Sequence, residues 1–171
     1  ASATSGSDGA DIARKVHRDG YAVIRQAMPK AWIQSALAKV DSLGVVIQHG
    51  GLRAELNFAL DDGPFGQEAL IDNRQVRPVL DRLLGPKRKV QRIGGIISFP
   101  DSDDQCTHRD GDHLYSLTEL QEASEEEEAG PAASHLPPHS VHLWVPLTTY
   151  SIETGATAFF PGSHRVRGEW T

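Results

Sequence analysis

The tetrapeptide His-Arg-Asp-Gly occurs twice in this chain, beginning at His17 and again at His108. An imidazole and a carboxylate two residues apart are donors that could hold a divalent metal together. Residues i and i+2 share a face of an extended strand but point to nearly opposite sides of a helix. The surroundings therefore separate the two copies. His17 closes a helical pattern beside Arg14, Lys15 and Arg18 and reads as a solvated helix end. His108 and Asp110 follow an extended run and can present both groups together. That is two-thirds of the two-histidine, one-carboxylate face that binds iron(II) and leaves positions free for oxygen and a co-substrate. Read without a metal, the same residues make a turn after a strand, with Asp110-Gly111 at the bend.

Other donors compete for attention. Cys106, His113, His135, His139 and His142 are zinc-binding types, but their spacing matches no zinc module. His142 alternates with Leu143 along a strand and reads as an outward-facing surface histidine, while His139, after Pro138, borders a pocket mouth. Cys106 reads as a small buried apolar side chain. A kinase catalytic loop also begins His-Arg-Asp, yet Tyr115 stands where its asparagine belongs and no glycine-rich phosphate loop precedes it.

The elements that must position His108 and Asp110 follow from periodicity. Residues 1–10 are small and polar and read as a disordered lead to a single domain over 11–171. Asp11 is expected to cap a helix through about His17, ended by Asp19-Gly20. Tyr21 to Ile24 reads as a strand, and Trp32, Ile33, Ala36, Leu37, Val40 and Leu43 mark an amphipathic helix closing at Gly44. Residues 67–84 repeat the helical pattern in two pieces, stopped by Gly85-Pro86. From Lys89 the character becomes β: 90–99, 141–147 and 157–160 read as strands. Between them, 117–138 carries Glu125 to Glu128 and two proline-containing turns, and reads as an exposed acidic insertion.

Composition bounds the class. With 171 residues, 39% hydrophobic and 23% charged, the chain suits one folded domain with one core. The net charge of -6 comes partly from the glutamate run, and no basic stripe exists to neutralise phosphates, so a nucleic-acid partner is not expected. No long apolar run calls for membrane insertion. A single cysteine suits a reducing compartment, so a soluble intracellular chain, cytoplasmic or inside an organelle, is expected.

An ordered set of segments carries a family resemblance: Gln105-x-x-His108-Arg-Asp110, Leu136-Pro-Pro-His139, Trp144-Val-Pro-Leu147, Glu153-x-Gly155-Ala-Thr157 and Pro161-Gly-Ser-His164, preceded by Asp19-Gly-Tyr-Ala-Val-Ile24. In this order they resemble the phytanoyl-CoA-dioxygenase-like family of Fe(II)- and 2-oxoglutarate-dependent oxygenases, from about Val16 onward. The resemblance implies a double-stranded β-helix, or jelly roll, with helices packed outside, an α+β to mainly β class. It implies His108 and Asp110 as the first two iron ligands and Gln105, Trp144 and Thr157 as residues lining the 2-oxoglutarate pocket. A carboxylate at 110, where halogenating relatives carry a small residue, implies hydroxylation of a small metabolite or a lipid or acyl substrate. His164 belongs to a loop of the family rather than to the metal, and Arg165 and Arg167 read as exposed loop charges. The family's distal histidine and its co-substrate arginine come later than that loop, and the sequence stops at Thr171, so a fragment of a longer enzyme is expected. The alternative is a jelly-roll subunit without chemistry that serves a protein assembly.

Overall fold

A computed structural model describes residues 8–44, 52–60, 63–108, 110–111 and 138–165. The first helix, α1 (Gly9–Asp19), begins where the Asp8 side chain accepts from the Ala10 amide at 3.3 Å, so Asp8 and not Asp11 caps it. Asp11 sits instead in the first turn, and His17 and Arg18 in the last, each sign where the helix dipole favours it. Residues 8–10, expected in a disordered lead, are thus part of the fold. Gly20 ends the helix in the left-handed region, φ 86°, donating its amide to the Val16 carbonyl at 2.8 Å. A Cβ there would come within 2.6 Å of His164 Nδ1, so the position needs glycine for conformation and for space.

α2 (Lys30–Ser42) and the paired helices α3 (Gln67–Leu70) and α4 (Arg77–Leu84) follow the expected periodicity. On and just before α4, Val76, Val79, Leu80 and Leu83 are buried at i, i+3, i+4 and i+7, one face of a helix. Ahead of it, Asn73 accepts from the amides of Gln75 and Val76 and donates from Nδ2 to the Ala27 carbonyl at 2.9 Å, tying the start of α4 to the approach to α2. α1 lies on α4 closely enough that a Cβ at Gly9 would stand 2.9 Å from the Pro78 Cβ.

Two strands pair antiparallel, β1 (Arg53–Phe58) and β2 (Ile93–Ser98), in a register running from Arg53 opposite Ser98 to Phe58 opposite Ile93. Among the described residues the architecture is α+β with this two-stranded sheet. β2 falls inside the strand expected over 90–99. β1 was not anticipated, although Ala54, Leu56 and Phe58 alternate with polar residues as a half-buried strand requires. The other three expected strands are not strands here. Tyr21–Ile24, 141–147 and 157–160 are extended or irregular without a ladder partner among the described residues. A strand needs a neighbour to take its amides and carbonyls, which periodicity cannot supply. Their apolar side chains are used all the same. Tyr21 stacks on Phe159 with ring centres 5.2 Å apart, and the Gly162 amide donates to the Asp19 carbonyl at 2.8 Å, so the two segments lie side by side.

The core has two clusters. Ile12, Ala13, Val79 and Leu83 form one, with Val141 against it; Ala36, Phe65, Leu70 and Ile93 form the other, with Val145 and Leu147 against it. Every second residue from 141 thus meets the helical support except 143, which leaves His142 and Trp144 exposed. Most of the acidic segment expected over 117–138 lies outside the described residues, as do 1–7. Among the described residues no helix is long and apolar enough to cross a membrane.

Candidate metal centre

β2 delivers the chain to the site through one turn. The Phe99 amide donates to the Leu52 carbonyl at 2.9 Å, and the Ser102 amide to the Phe99 carbonyl at 3.2 Å. Pro100 follows Phe99, and Asp101 takes φ 65°, the pattern of a type II turn with aspartate where glycine is usual. Residues 102–108 run on without regular structure to His108.

The two His-Arg-Asp-Gly copies are built differently. At the first, Asp19 pairs with its neighbour Arg18, whose Nε and Nη2 donate at 2.7 and 2.8 Å and hold the half-buried Asp19 carboxyl below the usual carboxylate range. The His17 carbonyl meanwhile accepts from Arg165 Nη2 at 2.5 Å and from His164 Nε2 at 3.2 Å. These contacts make a helix end and a loop anchor. They engage His164 and Arg165 at the end of α1.

At the second copy the carboxylate meets imidazoles. His108 Nε2 lies 3.3 Å from Asp110 Oδ1, and His142 Nδ1 lies 3.1 Å from Asp110 Oδ2. His108 Nδ1 is 2.8 Å from the Cys106 carbonyl oxygen. A carbonyl can only accept, so Nδ1 carries the proton, and in neutral His108 the Nε2 lone pair faces a carboxylate lone pair. The two atoms present themselves side by side as donors that one cation could share. An imidazole fixed through Nδ1–H to a backbone carbonyl, with Nε2 free for a metal, is the usual orientation of a metal-binding histidine. The separation fits as well. Adjacent ligands with bonds of about 2.1 Å to one ion stand about 3 Å apart.

Side-chain exposures of 47% for His108, 40% for Asp110 and 49% for His142 keep the group open to solvent. Exposed pairs of this kind contribute about 0–1 kcal/mol to folding, so stability does not account for the cluster. No three described His, Cys, Asp or Glu side chains are grouped to enclose a metal ion. His108 and Asp110 would supply two positions.

The remaining expected site residues fare unevenly. Gln105 and Trp144 are exposed, and among the described contacts neither hydrogen bonds to His108 or Asp110. Thr157 is exposed and engaged by Tyr150, whose hydroxyl donates to Thr157 Oγ1 at 2.5 Å and accepts from the Thr157 amide at 2.7 Å. Cys106 is exposed, not buried as expected, and its carbonyl meets His108. Glu153, expected only as part of a segment, has its carboxyl drawn below the ordinary range by the Ser151 hydroxyl. His142 was expected to be an ordinary surface histidine and instead reaches Asp110, 32 residues away. The alternation around it showed which way the side chain would point, but nothing in the sequence showed that Asp110 lies there.

An exposed imidazole and carboxylate thus stand together on the segment that follows β2. The chain matches the family model of phytanoyl-CoA dioxygenase (PhyH) over residues 16–169, and it belongs to that family. No solved structure matches it.

Proposed function

We propose that this protein is an Fe(II)- and 2-oxoglutarate-dependent dioxygenase that hydroxylates a small metabolite or a lipid or acyl substrate, in a jelly-roll domain with N-terminal helical support. One observation carries the reading: His108, its Nδ1 proton given to the Cys106 carbonyl at 2.8 Å, directs Nε2 at the Asp110 carboxylate 3.3 Å away, a pair that a cation completes. The juxtaposition of Tyr21 with Phe159, and of 141–147 with both core clusters, supports a jelly roll whose strands the described residues only outline.

His108 and Asp110 would hold the iron, and within residues 1–171 we assign no third ligand. When bound, iron and 2-oxoglutarate supply the oxidation: one oxygen atom of O2 enters a C–H bond as hydroxyl, the other enters succinate as 2-oxoglutarate loses carbon dioxide. The protein contributes placement. The Cys106 carbonyl fixes the His108 tautomer, Asp110 brings the anionic donor that matches a divalent charge, and the openness of both leaves room for ligands. Gln105, Trp144 and Thr157 are proposed to line the co-substrate pocket. The Tyr150 hydroxyl, bound to both the amide and the hydroxyl of Thr157, sets the direction of that side chain.

The test is turnover of 2-oxoglutarate by the full-length protein. With Fe(II) and air, succinate formation above the metal-free background is expected even without substrate, and replacing His108 by alanine should abolish it. Succinate at background level in the wild type, with Fe(II) demonstrably bound, would favour the reading as an accessory subunit of an assembly.

A further inference from the structure

We propose that His142 is a positioning residue for the metal-binding carboxylate: its imidazole holds the Asp110 oxygen that His108 does not engage, so that Asp110 meets Fe(II) through one oxygen only. The inference rests on the proposed role of His108 and Asp110 as metal ligands and adds what aims the second of them.

Three observations lead to it. The two imidazoles divide the carboxylate, His108 Nε2 at Oδ1 and His142 Nδ1 at Oδ2, at 3.3 and 3.1 Å. An ionised carboxylate only accepts, so His142 donates from Nδ1, as a hydrogen-bonding partner outside the metal's own ligand set does. Finally, the backbone that carries His142 is braced from the opposite side: Val141 packs on the cluster of Ile12, Ala13, Val79 and Leu83, and Val145 and Leu147 on the cluster around Phe65. Those anchors fix where the backbone holds His142, and the contact to Asp110 Oδ2 directs its N–H.

The contact itself is exposed and weak as a contribution to folding. Its consequence appears when the carboxylate carries a metal. A free carboxylate can swing to offer both oxygens, occupying a position that a co-substrate or oxygen would otherwise take. A donor on Oδ2 restrains that swing and keeps the second oxygen off the ion. The competing role, His142 as a ligand in its own right, predicts a different requirement: an imidazole nitrogen rather than an N–H.

The experiment is an anaerobic Fe(II) titration of the full-length protein and its His142→Ala, His142→Leu and His142→Asn variants, alongside thermal unfolding without metal. Loss of such a partner weakens metal binding by about 10–100-fold, so H142A and H142L should raise the Fe(II) Kd by about tenfold or more. Their metal-free melting temperatures should stay close to wild type, since a purely structural role would lower them instead. Asparagine places an amide N–H near the position of the imidazole Nδ1–H, and H142N should recover most of the affinity. An unchanged Kd in H142A and H142L overturns the inference, and so does an H142N variant as weak as H142A, which would make the imidazole itself the requirement. Wild-type protein that binds no Fe(II) overturns the proposed function together with this inference, whereas equal binding by wild type and variants overturns the inference alone.

Discussion

Replacing Asp110 by alanine is expected to weaken Fe(II) binding by about a hundredfold or more, which is about 3 kcal/mol at 1.4 kcal/mol per factor of ten. Asp110 is the anionic member of the pair, and without it His108 Nε2 has no partner across the 3.3 Å gap. The metal-free fold should scarcely change, because a carboxylate that is 40% exposed and, among the described residues, paired with two exposed imidazoles contributes little to stability. The separation of the two effects is the diagnostic feature. Equilibrium binding of Fe(II) under argon reads the first and urea unfolding of the metal-free protein the second. A variant that binds Fe(II) as tightly as wild type would remove Asp110 from the metal centre. A variant that loses its fold along with the metal would give the carboxylate a structural role instead.

The largest stability effect is expected at Phe65. This ring is 6% exposed, stacks on Phe58 with centres 4.0 Å apart, and meets the edge of Trp32 at 6.4 Å. Trp32 is held in turn by its indole N–H, which donates to the Pro64 carbonyl at 2.7 Å. Truncating a buried phenylalanine to alanine removes its transfer energy and leaves a cavity, and Phe65→Ala should cost about 3–5 kcal/mol. For a chain of this size each kcal/mol lowers the melting temperature by about 2–4 °C, so a fall of roughly 10 °C is expected in a calorimetric scan. Val145 and Leu147 lie on the same cluster, so the variant should also loosen the segment that carries His142 and Trp144. A loss below about 1 kcal/mol would mean that the cavity collapses and that Phe65 is not a centre of the core.

How much of this was legible in the sequence depends on the range of the interaction that decides each feature. α1 and α4 were readable because their signals are local: Gly20 and Gly85 at the ends, Val76, Val79, Leu80 and Leu83 along one face. The start of α1 was misread because Asp8 and Asp11 are both capping types, and only the hydrogen bond to Ala10 chooses between them. β1 was overlooked although Ala54, Leu56 and Phe58 alternate, because Arg53, Glu55 and Asn57 make the run look polar. The opposite error occurred at 141–147, where β-branched and aromatic residues announced a strand. The segment packs as one, but no neighbour in the described residues completes its ladder.

The pairing of His108 with Asp110 was legible for a chemical reason. Two donors on an extended stretch need no long-range information to be recognised, and the same tetrapeptide at His17 could be set aside because it ends a helix. What supports the second copy, the Cys106 carbonyl on His108 and His142 on Asp110, is partly beyond sequence reasoning. The first is a backbone contact two residues away, and the second joins positions 32 residues apart. The family pattern over residues 16–169 supplied the order of the segments, and the structure supplied which of them touch.

The most direct measurement is an anaerobic titration of the full-length protein with Fe(II), with and without 2-oxoglutarate, followed by visible absorption. A chelating 2-oxo acid on Fe(II) gives a metal-to-ligand charge-transfer band, which neither component gives alone. The band is expected to appear at one Fe(II) per chain, to require 2-oxoglutarate, and to be lost in the Asp110→Ala variant. No band at saturating Fe(II) and 2-oxoglutarate, or a band that survives the loss of Asp110, would contradict the proposed metal centre.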